Sequence, residues 1–232
     1  MSERIIVTGA AGGLGKTVVH QLLHSEHEVI AVVEPGKNHQ KDEMNELSHI
    51  GKLTIVEADL LNLKEVQNFI NEVSDGGSIS GAAGLVGGFG MDTLEDLNQS
   101  NLEKFIHLNF YSALNLSRAL LPVFKIQNQG KLLMMSAKPA HDLSISGQTF
   151  SYSISKKMVM NLVDHINGTF KYIRAATIAP DIIDTPANRE AMPEANFNQW
   201  VKSQEIAKLI AYFFSKDGDK LSTAHFKIFG QQ

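Results

Sequence analysis

The stretch Arg4-Ile5-Ile6-Val7-Thr8-Gly9-Ala10-Ala11-Gly12-Gly13-Leu14-Gly15 decides the fold. A short apolar run stops at a glycine-rich turn. Beyond it Leu14, Val18, Val19, Leu22 and Leu23 recur at helical spacing. The order is therefore strand, tight turn, helix. Glycines let the backbone turn sharply and come close to a pyrophosphate. The helix start adds free N–H groups and a partial positive charge. Gly9, Gly13, Leu14 and Gly15 are thus candidate phosphate-binding positions.

The same alternation continues outward. Residues 29–33, 53–56, 77–83, 132–135, 173–178 and 224–229 read as strands. Residues 13–25, 63–73, 151–167 and 203–215 read as helices, and 99–124 as a long, broken one ending near Pro122. Strands alternating with helices imply a parallel sheet covered on both faces. The expected fold class is α/β: one doubly wound parallel sheet, a Rossmann fold, as a single domain over residues 1–232. Such sheets bind ligands outside the carboxyl ends of their strands. Residues 186–200 hold two prolines and no steady period, and are expected to form a lid over a substrate.

Composition narrows the partners. Of 232 residues 43% are hydrophobic, the net charge is −4, and there is no cysteine. That balance argues against nucleic acid or an anionic membrane as partner. The missing cysteines exclude disulfides, thiolate metal sites and cysteine nucleophiles. No apolar run approaches the ~18 residues of a membrane span, and the N-terminus has no signal-peptide layout. A cytoplasmic protein acting on a small molecule is expected. His20, His24 and His27 cluster, but only Glu26 and Glu28 lie near as acidic ligands, so no metal site is expected.

Tyr152-Ser153-Ile154-Ser155-Lys156 places a phenol and an ammonium four residues apart on one helix face. A tyrosine at its ordinary pKa of ~10 is a poor acid–base group near neutrality. A fixed cation beside it is expected to lower that value. With the glycine turn, this pair resembles the short-chain dehydrogenase/reductase family, and the resemblance covers nearly the whole chain. It implies that Tyr152 exchanges the proton, Lys156 binds the nicotinamide ribose and tunes Tyr152, and Asn109 helps hold a relay water. It implies adenine contacts from Asp59 and Leu60, although Asp59 also suits a helix cap. Ala83 and Gly84 fall at the nicotinamide-side turn, and Pro180, Ile183 and Thr185 near the nicotinamide amide. Glu34 ends the second strand, one residue past the usual position at Val33. A carboxylate there favours NAD(H), with NADP(H) the alternative. Family helices often build homodimers or homotetramers, and Phe105, Leu108, Leu114 and Leu121 are the expected interface.

The chain departs from the family pattern in several places. Gly81-Ala82-Ala83-Gly84 lacks the usual asparagine, and Asp181 replaces the glycine after Pro180. Above all, Ala137 stands where the catalytic serine belongs. Ser136 should face the other way, while Ser144 and Ser146 could reach in from the loop. Losing one such donor can cost ~10²–10³ in rate where an oxyanion develops. Ala137-Lys138, the glycine loop 84–90 and residues 184–200 resemble the dihydropteridine reductase group of the family. That resemblance implies hydride transfer to a conjugated heterocycle. The alternatives are a carbonyl or alcohol oxidoreductase and a dinucleotide-binding sensor without turnover.

Overall fold

The computed structural model describes residues 3–221 and 223–230. Its seven-stranded parallel sheet has the order β3-β2-β1-β4-β5-β6-β9. The strands are β1 (Arg4–Thr8), β2 (Glu28–Val33), β3 (Leu53–Glu57), β4 (Gly81–Gly84), β5 (Gly130–Met135), β6 (Ile173–Pro180) and β9 (His225–Ile228). A second, two-stranded sheet pairs β7 (Ile183–Asp184) with β8 (Val201–Lys202). The order reverses between β1 and β4, which opens the ligand crevice at their carboxyl ends.

Alternation along the strands feeds a core on each side. Ile5 and Val7 turn toward α1 (Gly13–His24) and α9 (Ser203–Phe214), where they meet Val18, Leu22, Ile206 and Phe213. Ile6 turns the other way, onto α3 (Leu63–Asp75), α5 (Ser112–Gln127) and α7 (Phe150–Thr169). The expected doubly wound fold is therefore present.

Local departures have physical reasons. β4 is shorter than expected because Gly76 and Gly77 turn the chain first, Gly77 with φ +129°. A side chain on Gly81 would stand 2.6 Å from Lys131 O and 2.6 Å from Phe214, so the strand must be small there. The long helix does not end near Pro122. It comprises α4 (Gln99–Phe105), a π-helical turn at Ile106–Tyr111 and α5, which runs through Pro122. Leu120 and Phe124, fully buried on either side of that proline, hold the helix to the sheet. It stops at Asn128, whose φ of +53° is a left-handed cap. Phe105 is buried and packs beneath Gly90, whereas Leu108, beneath Gly88, is only half-buried.

Sequence periodicity missed α2 (Asn38–Asn45), which buries only Met44. It also missed α6 (Lys138–His141) and the order within residues 186–200: α8 (Pro186–Ala191), then a turn at Phe197–Gln199 ending on buried Trp200. No helix among the described residues is long and apolar enough to cross a membrane.

Candidate active site

Gly9 adopts φ +67°, the left-handed region that the sharp turn out of β1 requires. Gly12 then caps α1 without a side chain, so the first-turn N–H groups of Gly13, Leu14 and Gly15 have no side-chain acceptor at the cap. A side chain on Gly13 would stand 3.2 Å from Thr185 Cβ, which brings the glycine turn against the segment after β6. Thr185 Oγ1 accepts from Asn188 N (3.2 Å) and starts α8. Pro180 ends β6, and Ile183 opens β7.

Beside the glycine turn lies a cavity of about 400 Å³, lined among others by Gly12, Val33, Glu34, Gln40, Asp59 and Leu60. Glu34 stands at its wall just beyond β2, as the sequence suggested; Gln40 was not foreseen. Gln40 Oε1 accepts from Glu34 N at 3.1 Å and fixes that corner. Asp59 does not cap α3. Asn62 does, accepting from Lys64 N and Glu65 N, while Asp59 Oδ1 accepts from Leu61 N at 2.9 Å. Asn115 on α5 holds the same turn by donating to Leu60 O and Leu61 O. No signal in sequence marks that role.

Across the crevice α7 carries Tyr152 and Lys156. Ala83 and Gly84, buried at the end of β4, lead into the loop that covers them. Lys156 is buried and donates to Met135 O at 3.0 Å. An ammonium has three donors, so two remain to hold hydroxyls. Burial lowers Lys156 to about 8. Burial also pushes Tyr152 up to about 12, which corrects the expectation of a lowered phenol. Desolvation of the phenolate by burial is the cause. Tyr152 is therefore protonated at neutral pH.

Asn109 sits inside the π turn and is 1% exposed. The extra backbone residue per turn aims its side chain into the site, as such turns often do. Its amide donates to Ser155 Oγ (2.9 Å) and Gly88 O (3.1 Å), and its oxygen accepts from Gly88 N (2.8 Å). A Cβ on Gly87 would lie 2.6 Å from Asn109 Oδ1 and 2.7 Å from Lys156 Nζ, so all three meet at one point.

Ala137 is 3% exposed and brings no donor. Ser136 turns away, its hydroxyl donating to Lys156 O at 3.2 Å. Ser144 and Ser146 do not reach in: their hydroxyls donate to Asp142 Oδ1 and Leu143 O. No group of three or more His, Asp or Glu among the described residues is arranged to hold a metal.

The short chain dehydrogenase family model matches residues 3–196. The chain belongs to the short-chain dehydrogenase family. It is an NAD(P)-dependent oxidoreductase, and its glycine turn, cavity and uncapped helix start fit that cofactor. It is similar to the 7alpha-hydroxysteroid dehydrogenase of Bacteroides fragilis, at 27% identity over 92% of this chain and 87% of the relative. It is also similar to the dihydropteridine reductase of Dictyostelium discoideum, at 25% identity over 96% of this chain and 92% of the relative. In structure it resembles the NADPH-dependent 3-quinuclidinone reductase of Rhodotorula rubra, with a TM-score of 0.85 and 19% identity over 98% and 90% of the two chains.

Proposed function

We infer that the protein reduces a conjugated heterocycle of the dihydropterin type, with NADH preferred. The observation that carries this reading is Ala137, buried where a carbonyl reductase keeps a hydroxyl donor, with no neighbouring serine free to replace it. A ketone gathers its developing charge on one oxygen. A conjugated ring spreads it, so the missing donor costs less. The likeness of residues 184–200 to dihydropteridine reductases supports the same choice.

A bound NAD(P)H supplies the hydride. Tyr152 donates its proton to a ring heteroatom, directly or through a water held near Asn109. Lys156 holds the ribose hydroxyls through its spare donors and stabilises the phenolate left behind. The preference for NADH rests on Glu34 and Asp59, the carboxylates of the cavity wall, which carries no Lys or Arg among its lining residues. Of the nearby bases, Lys41 and Lys16 are paired with Glu57 and Glu43, while Lys37, the nearest downstream of Glu34, stands outside the cavity lining. A cytoplasmic location and a homodimer or homotetramer complete the proposal. The absence of cysteine supports the first, and exposed Tyr111 and Ile126 the second.

A second reading, a dehydrogenase of an alicyclic alcohol or ketone, is favoured by the similarity to the hydroxysteroid enzyme. The deciding experiment compares kcat/KM with NADH for a quinonoid dihydropterin and a panel of ketones, steroid ketones included. The pterin is expected to lead. A ketone that outperforms it overturns the substrate assignment.

A further inference from the structure

Residues 87–90 read Gly-Gly-Phe-Gly. The glycines all lie against walls. A Cβ on Gly87 would crowd Asn109 and Lys156, one on Gly88 would stand 2.6 Å from Leu108 Cδ2, and one on Gly90 would enter the Phe105 ring. Phe89 carries the only side chain of the four, and it is 64% exposed. Its ring stands edge-on to that of Tyr152, 5.1 Å between centroids and 74° between planes.

This ring is not on a loose tip. The preceding Gly88 is bonded to Asn109 through both its N–H and its C=O. Three residues on, Asp92 is buried and clamped to the start of α7. Its carboxylate accepts from Ser151 N at 2.9 Å, its N–H donates to Gln148 O, and its C=O accepts from Phe150 N. Hydrogen bonds on both sides of Phe89, part-buried at Gly88 and buried at Asp92, thus hold an apolar ring in water beside Tyr152. Leaving such a ring uncovered forgoes its burial, and a substrate that covers it recovers that gain. Exposed Met91 and Leu94 extend the apolar surface along the same loop.

We propose that Phe89 is the stacking platform for the acceptor, which is selected as a flat conjugated ring. An aromatic ring offset on Phe89 keeps the preferred stacking geometry and presents its edge, where the heteroatoms lie, toward Tyr152. An aliphatic ketone has no π-face to place there. The proposal rests on the reading that this site reduces a conjugated ring, and it names the residue that selects one.

Oxidised biopterin, a flat fluorescent ring, is titrated into the enzyme loaded with NAD⁺, in which no hydride is available. Phe89→Ala should weaken its binding about tenfold, the usual scale of one ring–aromatic stack. Phe89→Trp should stay within about threefold of wild type, and Phe89→Leu should fall near the alanine variant. The exposed position keeps the thermal midpoint unchanged in all three. Alanine or leucine variants that bind like wild type, or a wild type that does not bind the ring, overturn the platform. NADH oxidation with quinonoid dihydropterin is read in parallel. Phe89-dependent binding without turnover overturns the proposed reaction and keeps the platform. Turnover with the same KM in wild type and Phe89→Ala does the reverse.

Discussion

Lys138 Nζ lies 2.5 Å from Asp181 Oδ2, so the lysine that follows Ala137 and the aspartate that replaces the family's glycine are partners. Their side chains are 25% and 35% exposed, and Lys138 also lies 4.9 Å over the Phe229 ring. The pair ties the end of β5 to the end of β6 beside the reacting groups. A half-exposed pair of this kind is worth about 0.5–1 kcal/mol. Lys138→Ala and Asp181→Gly should each lower stability by about that much, and the double variant by little more. Urea denaturation of the four proteins checks it; fully additive losses would show that the residues do not interact.

Burial of Lys156 costs stability. Its folded-state pKa of about 8 lies below the ordinary value, so the unfolded chain binds more protons between there and pH ~10. The burial cost is present in full below pH ~8 and fades as pH rises through that window. Lys156→Met should therefore be more stable than wild type at neutral pH by about 1–3 kcal/mol, with the gap closing toward pH ~10. Its turnover should fall at least ~10². Wild-type reduction should decline above pH ~8 as the ammonium is lost, while Tyr152, at about 12, keeps its proton. Paired urea titrations at the two pH values and a rate profile test both statements. A constant stability gap would sink the first.

Asn109 joins the π turn, the covering loop and α7 through three hydrogen bonds. Replacing it with Ala leaves the half-buried Gly88 N–H and C=O without those partners, at about 1 kcal/mol. Asn109→Asp keeps an acceptor for Gly88 N but loses both donated bonds, so it should retain only part of that stability. Chemical denaturation with NADH binding measured alongside separates the two. Equal losses in both variants would mean that the acceptor bond contributes nothing.

The βα alternation was legible because each strand is a short apolar run and each main helix buries one stripe. The glycine turn, Tyr152 and Lys156 were legible because spacing alone puts them on one face or one turn. Asn109 was placed by motif, but not the π turn that aims it, since an extra residue in a helical turn leaves no periodic trace. Pro122 read as a terminator because propensity omits packing, and buried Leu120 and Phe124 outweigh the lost hydrogen bond. Asn115, Gln40 and Phe89 stayed invisible. Their roles depend on contacts between segments far apart in sequence.

Asp184 anchors residues 186–200 at both ends. Arg189 grips its two oxygens at 2.6 and 2.9 Å, and Lys202 reaches it at 2.8 Å. These partners, Arg189 first, hold its carboxyl well below the usual range. If this segment closes over the substrate, Trp200 beneath it, 4.8 Å from Phe197, should report the motion. Its emission is expected to shift when NAD⁺ and a pterin bind, and Asp184→Asn should speed proteolysis within 186–199. No change in either measurement removes the lid.

Ala137→Ser tests the charge argument at its source. The side chain at this position is 3% exposed, directly after β5, and a hydroxyl added there is proposed to meet the bound substrate. For a ketone it would donate to the oxygen on which charge gathers as hydride arrives, a contact worth up to ~10²–10³ in rate when well aligned. For a conjugated ring the charge is already spread and Tyr152 serves the edge that is protonated, so the same hydroxyl adds little. It also buries a polar group, which costs about 1 kcal/mol or more when left unpaired. The variant should therefore be slightly less stable than wild type. Its kcat/KM should rise at least ~10-fold for simple ketones and move less than ~3-fold for quinonoid dihydropterin. Measuring kcat and KM separately shows where the gain lies: a contact made only in the transition state raises kcat and leaves KM nearly alone. A serine variant that speeds the pterin and leaves the ketones unchanged would contradict the assignment of Ala137 as the residue that turns this site from localised to delocalised charge.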